Sequence, residues 1–311
     1  MLRKLFCMIA VCCCAVFAAE IDLATTGEAS VAMPQGNIIF KCVDNALQVD
    51  IECQSEVLPA LKRKYSSLQW NVWEGEAVDL TFSPYGGWPG YRLRLNPSGK
   101  FFQSFNGEPK WTSPYFKAKA SFTENGWLAS FTLPFAAMET DMNAGTEKPS
   151  RQVLPSVKWN VAISRRAMNA QGKADWCVPE GVKPSSLTEC LKLKLAAKSI
   201  APYRKSALCS VKATALAMNG TGTVSGRVCP AKDAKEPLVG KLLLFLHVDN
   251  DVSKVTECEV KAEAGAEFSF NLPVKVEETG GKLSFHVELL DAEGKLVHAS
   301  SNLNVENPWA E

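Results

Sequence analysis

Histidine is nearly absent from this chain, and the three present, His247, His286 and His298, all lie in its last third. The tryptophan-rich first half therefore has no imidazole to act as the base of a catalytic triad or as an axial haem ligand. No G-x-S-x-G, H-E-x-x-H or P-loop pattern occurs. An excess of one charge is missing too: 34 Lys and Arg face 33 Asp and Glu, a formal net charge of +1. Without a gathered basic stripe there is nothing to neutralise phosphates, which argues against nucleic acid as a partner. The apolar run near the start, about 13 residues, is too short to span a bilayer, and no later segment is long enough.

Aromatic residues are distributed unevenly. Lys205 to Asn307 contains neither tryptophan nor tyrosine, whereas seven of the eight tryptophans lie between Trp70 and Trp176. The change falls at IAPYRKS, whose Pro202 and charges mark a linker at 201–205 between units at 20–200 and 206–311. Before them, residues 1–18 combine basic Arg3 and Lys4, an apolar run from Leu5 to Phe17, and a cut expected after Ala18 with Val16 and Ala18 at the selective positions. This is the pattern of a cleaved signal peptide, and it places the mature protein outside the cell or in a periplasm.

Seven cysteines follow the leader: Cys42, Cys53, Cys177, Cys190, Cys209, Cys229 and Cys258. None has the close C-x-x-C spacing of a zinc site. An odd number leaves at least one thiol unpaired, and the density is below that of a disulfide scaffold. NIIFKCVDNALQVDIEC reads as two strands turning at Asp44 and Asn45, with Cys42 facing Leu47. Cys53 then lies roughly 20 Å along the ladder, which excludes a Cys42 to Cys53 bridge. Both are in phase with Ile38, Phe40, Val49 and Ile51 and are expected as buried thiols.

Period-two alternation recurs throughout: LQVDIE, AVDLTF, YRLRLN, KAKASF, WLASFTL, KWNVAIS and CLKLKL in the first unit, and KLLLFLHV, TECEVKA, EFSFNLPVKV, KLSFHVELL and KLVHASSNLNV in the second. Only short helices are expected, within Glu56–Ser66 and Phe135–Met142. The fold class is all-β, two β-sandwich domains, the second immunoglobulin-like.

Three strands place polar groups on one face. Val78, Leu80 and Phe82 point one way, so Asp79 points the other. Tyr91, Leu93 and Leu95 leave Arg92, Arg94 and Asn96 opposite, and Trp159, Val161 and Ile163 leave Asn160 opposite. A carboxylate, a guanidinium and an amide on one face are the groups that hold sugar hydroxyls, while an aromatic plate covers the apolar side of the ring. Trp73, in a loop containing Gly75, is the candidate plate. Trp88 in YGGWPG and Trp176 are further candidates, whereas Trp70, Trp111, Trp127 and Trp159 read as core. Asp79 and Arg94 read equally well as a structural ion pair.

The succession ALQVDIEC, WEGEAVDLTF, YRLRLNPSGKFFQSFNG, WTSPYFKAKASFTENGWLASFTLPFAAM, VKWNVAISRRA and DWCVPEGVKPSSLTECLKLKL resembles the family 9 carbohydrate-binding modules over residues 37 to 196. The resemblance implies a sandwich in which Trp73 stacks on a sugar and Asp79, Arg94, Asn96 and Asn160 bond its hydroxyls. Where that family supplies a second stacking ring, this chain has Val182, with Trp176 six residues earlier, and an opening strand is expected at Ala29–Met33 or not at all.

The expected function is non-catalytic binding of an oligo- or polysaccharide, in polysaccharide capture or breakdown, with the second unit spacing the module or docking a protein. A structural or adhesion protein with a decayed sugar face is the alternative, and a glycoside hydrolase or its associated component the third. A hydrolase needs two carboxylates at a defined separation, and Glu74, Glu76 and Asp79 are too close in sequence to argue one. No cofactor is expected. Calcium would need Asp, Glu and backbone oxygens, and no ligand set stands out.

Overall fold

Alternation of apolar and polar residues governs nearly every element of the chain. The computed structural model describes residues 20–66, 71–141 and 152–310, so the leader at 1–18, Trp70 and the end of the Phe135–Met142 segment lie outside the described residues. In chain order the first unit forms β1 (Glu20–Asp22), β2 (Glu28–Met33), β3 (Gly36–Val43), β4 (Ala46–Gln54), β5 (Ala77–Ser83), β6 (Tyr91–Leu95), β7 (Phe101–Phe105), β8 (Lys117–Phe122), β9 (Gly126–Pro134), β10 (Lys158–Met168), β11 (Ala174–Cys177) and β12 (Leu191–Lys194).

These strands make two sheets. One has the order β1-β12-β10-β5-β6-β7, with β11 added to β10; the other is β2-β3-β4-β9-β8. Only β1 and β12 are parallel among these pairs. Ile38, Phe40, Val49, Ile51, Phe131 and Leu133 from one sheet meet Val78, Leu80, Phe82, Leu93, Trp159 and Ile163 from the other in a single core. Trp111, Trp127 and Trp159 are buried in it, the last two as their strand phase requires. The hairpin turns at Asp44 and Asn45 with Cys42 opposite Leu47, while Cys53 stands opposite Gly36 at the far end. Cys53 is buried and Cys42 half-buried, and both are free thiols.

The short helix expected within Glu56–Ser66 is present as α2 (Leu58–Lys64), counting Leu23–Thr26 as α1. The second helix expectation needs correction. Phe135 begins a single 3-10 turn, Phe135–Ala137, because Met138 returns to an extended backbone. The segment expected as a free linker is likewise ordered: α3 (Ala197–Ile200) runs into a 3-10 turn at Ala201–Arg204. Ile200 and Tyr203 are apolar enough to be drawn into the first core, where the Tyr203 ring lies 5.7 Å from that of Phe135.

The second unit consists of β13 (Ser206–Ala213), β14 (Thr221–Pro230), β15 (Leu238–Val248), β16 (Asp251–Ala262), β17 (Phe268–Lys275), β18 (Leu283–Leu290), β19 (Leu296–Ala299) and β20 (Leu303–Val305). A β13-β14-β17 sheet faces a β16-β15-β18-β19 sheet across Val224, Leu242, Leu244, Phe285 and Val287. The chain crosses between sheets after β14, β16 and β17, the alternation of an immunoglobulin-like sandwich. KLVHASSNLNV is two pieces along β18 rather than one strand, because Ser300 and Asn302 turn their backbone N–H groups to Val287 and Thr112. The Asn302 bond joins the two units, as do Thr140 Oγ1 donating to the Leu208 carbonyl and Ser210 N donating to Asp141.

Candidate functional site

The loop from Asn71 to Glu76 carries Trp73 and is held from four directions. Tyr65, at the end of α2, accepts from Glu76 N at 2.7 Å and donates to the Glu74 carbonyl at 3.3 Å. Arg94 Nε donates to the Val72 carbonyl at 2.8 Å, Arg166 Nη1 donates to the Trp73 carbonyl at 3.3 Å, and Trp73 N donates to Asn71 Oδ1. Gly75 is required at the bend: its φ is +68°, and a Cβ there would lie 2.1 Å from the Tyr65 hydroxyl. The Trp73 indole is thereby fixed, 41% exposed, with its edge on Phe102 and its ring over the Arg92 and Arg94 guanidiniums at 5.2 and 4.9 Å.

Beneath that ring lies the polar row. Cross-strand register sets Ser164, Asp79, Arg94 and Phe102 side by side over β10, β5, β6 and β7. Asp79 accepts from Arg94 Nη1 at 2.9 Å and from Arg92 Nε and Nη2 at 3.3 and 3.2 Å. Burial pushes the Asp79 carboxyl up, against the pull of Arg94 and Arg92, and burial also pushes the Arg94 guanidinium down. Both shifts have the same leading cause, so desolvation outweighs the attraction within the pair. Arg92 alone of the three keeps its side chain about two-fifths exposed.

The sequence-predicted residues separate into two groups. Asp79, Arg94 and Asn160 share the outer face of the large sheet, as alternation requires, but β5 is buried along both of its faces. The segment through Leu187 covers one end of this face: Asn160 Nδ2 donates to the Leu187 carbonyl at 2.9 Å, and the Leu187 side chain packs against Gly90. Asn160 is thus a clasp for the covering segment and not an open amide. Asn96 also departs from expectation. It is fully buried, and its Oδ1 accepts from Ser98 N, Ser98 Oγ and Lys100 N, ordering the turn from β6 to β7. Asn96→Ala should lower stability by about 1–3 kcal/mol through the loss of these acceptors; a melting temperature equal to that of the unaltered chain would contradict this.

Trp88 is 63% exposed in its loop and Trp176 52% exposed on β11. Trp176 stands opposite Arg166, which in turn stands opposite Ala77, so it lies on the outer face with Trp73. From β11 to β6 are three strand spacings, roughly 14 Å. The two indoles are therefore platforms in line, not the jaws of a clamp around one ring. Val182 is buried in the core cluster and offers no second plate.

Sequence reasoning missed Glu76 and Arg165. Both are in phase with inward residues, Glu76 with Val78 and Arg165 with Ile163, and that phase was the available signal. Glu76 Oε1 accepts from Arg165 Nε at 3.0 Å, Arg165 Nη2 at 2.5 Å and Trp127 Nε1 at 2.6 Å, all fully enclosed. They lock the base of the Trp73 loop to β9 and β10.

A cleft of about 1500 Å³ lies elsewhere, between α3, the 3-10 turn at Ala201–Arg204 and the second unit, and is lined by none of these residues. Among the described residues no group of three or more His, Cys, Asp or Glu is placed to hold a metal ion, and no helix is long and apolar enough to cross a membrane.

No family model matches the sequence, and no curated protein matches it. Among solved structures, a Bacteroides uniformis beta-glucuronidase is similar over 83% of this chain and 26% of that one, at 11% identity and a TM-score of 0.24. A protein described as a beta-galactosidase from Bacteroides fragilis is similar over 84% and 32%, at 9% identity and a TM-score of 0.23. The chain thus spans a quarter to a third of these much longer proteins.

Proposed function

We propose that this is an exported, non-catalytic carbohydrate-binding protein whose first sandwich, resembling the family 9 modules, engages an oligo- or polysaccharide through Trp73. The observation that carries the reading is the half-exposed indole, fixed by a hydrogen-bonded loop and backed by Arg92 and Arg94. A flat apolar plate held in place beforehand loses little entropy when a sugar ring lies on it. Trp176 extends the platform along the same face, and Arg92 and Arg166 supply donors at its edge. Asp79, hidden and spanned by two guanidiniums, is a poor nucleophile or proton donor, which favours binding over hydrolysis.

A site of this size supports affinities of roughly tens of micromolar to millimolar, about −4 to −6 kcal/mol. In a glycan panel read by tryptophan fluorescence and calorimetry, Trp73→Ala should weaken binding at least tenfold while the melting temperature holds. The concealment of Asp79, Arg94 and Asn160 favours a second reading, a scaffold or adhesion protein with no sugar site. Absence of binding to every glycan in the panel would decide for it.

A further inference from the structure

The outer face of the large sheet carries more positive charge than its hydrogen bonds consume. Arg92, Arg94 and Arg166 gather around the Trp73 loop, and the proximity of Arg92 and Arg166 contributes to holding the Arg94 guanidinium down. Asp79 is the one carboxylate set against them in the row, and it is already taken up by Arg92 and Arg94. Glu74, exposed beside Trp73, makes no ion pair among the described residues, and even with it the cations are in excess.

Two of the guanidiniums have donors to spare. Arg92 spends Nε and Nη2 on Asp79, and Arg166 spends Nη1 on the Trp73 carbonyl. Arg92 Nη1 and Arg166 Nε and Nη2 have no hydrogen-bond partner among the described residues. A guanidinium is a planar fork whose paired N–H groups match a carboxylate, and it gains little from a neutral hydroxyl by comparison. These forks lie beside an indole that can cover a sugar ring.

Resting on the reading of this face as a sugar site, we propose that its ligand is an acidic saccharide, one bearing a ring carboxylate. The pyranose ring lies on Trp73, and Arg92 and Arg166 receive its carboxylate. The buried Asp79 holds the Arg92 fork in orientation without neutralising the face, because Arg94 balances it. A neutral glucan or galactan would meet the indole but leave both forks unused.

The test compares polygalacturonate with the same polymer fully methyl-esterified, so that backbone and ring geometry are shared and only the charge differs. Calorimetry at low and physiological salt should show at least tenfold tighter binding of the acid, with the gap narrowing as salt rises. Arg166→Gln, on a half-exposed side chain, should reduce that preference. Arg92→Lys, which keeps the charge but removes the fork, should reduce it as well, with the melting temperature reporting the fold. Equal binding of the acid and the ester, lost in Trp73→Ala, would overturn the acidic preference and leave the sugar site standing. An acid preference unchanged in both arginine variants would overturn the assignment to these residues. No binding of either polymer or of any neutral glycan would overturn the sugar site and this inference together.

Discussion

Glu76→Ala is expected to destabilise the protein by about 3–5 kcal/mol, because it leaves the Arg165 guanidinium buried with no carboxylate to balance it. Both side chains are almost completely enclosed, and the carboxylate also receives Trp127 Nε1 and Met168 N. Removing it strands donors on two strands at once, Arg165 and Met168 on β10 and Trp127 on β9. Glu76→Gln, which keeps an acceptor but not the charge, should lie between. The double variant Glu76→Leu, Arg165→Met should cost much less than either single change, since no charge is then left without its partner. Chemical denaturation of the four proteins measures this directly. A loss below about 1 kcal/mol for Glu76→Ala would show that the pair is solvated in solution. The same variant should weaken sugar binding, because Glu76 anchors the base of the Trp73 loop.

Glu139→Gln is expected to change the pH dependence of stability by about 3 kcal/mol between pH 4.5 and pH 8. Glu139 is buried where the two units meet, and burial pushes its carboxyl up to about 7, with the Asp141 charge adding to the effect against the Trp111 hydrogen bond. A raised folded-state value means that the folded chain holds the proton more tightly than the unfolded one. The stability this provides is fully present below pH 4.5 and is lost as pH rises through about 7. Glutamine cannot ionise, so the variant should gain on the unaltered protein as pH rises through that window and keep the gain above it. Two histidines act in the opposite sense. Burial lowers His298 to about 4, and burial with the neighbouring His247 lowers His286 to about 3. Their contribution is complete above pH 6.5 and is lost as pH falls through those values. With Glu139 removed, stability should therefore fall more steeply into acid. Parallel pH profiles for the two proteins would refute the burial of an ionisable Glu139.

The strands were largely legible because alternation is a local signal. Residues two apart share a face whatever the rest of the chain does, and Asp79, Arg94 and Asn160 do occupy one face. Strands β1, β7, β11, β13 and β14 escape this reading. FFQSF and ADWC lack alternation, and TGTVSGRVCP interrupts it with glycines. The proline and charges of 201–205 signal a linker, whereas the apolar Ile200 and Tyr203 decide its packing.

The site was legible only in part. That Trp73 stands at the rim of the sheet with charge beneath it follows from a glycine-containing loop and the phase of β5 and β6. That Asn96 serves a turn depends on hydrogen bonds to Ser98 and Lys100, and a strand pattern extended by one residue past its end misassigns it. That Asn160 is covered depends on Leu187, 27 residues further along the chain.

By itself the sequence determined the all-β class and which side chains face in or out, because both follow from backbone geometry repeating every two residues. Tertiary structure alone decided which charges meet and which remain open. Glu76 and Arg165 are 89 residues apart, and Trp176 reaches the face of Trp73 only through the pairing of β11 with β10. Such contacts follow from how the sheets pack and how the loops close over them, and no local periodicity encodes them.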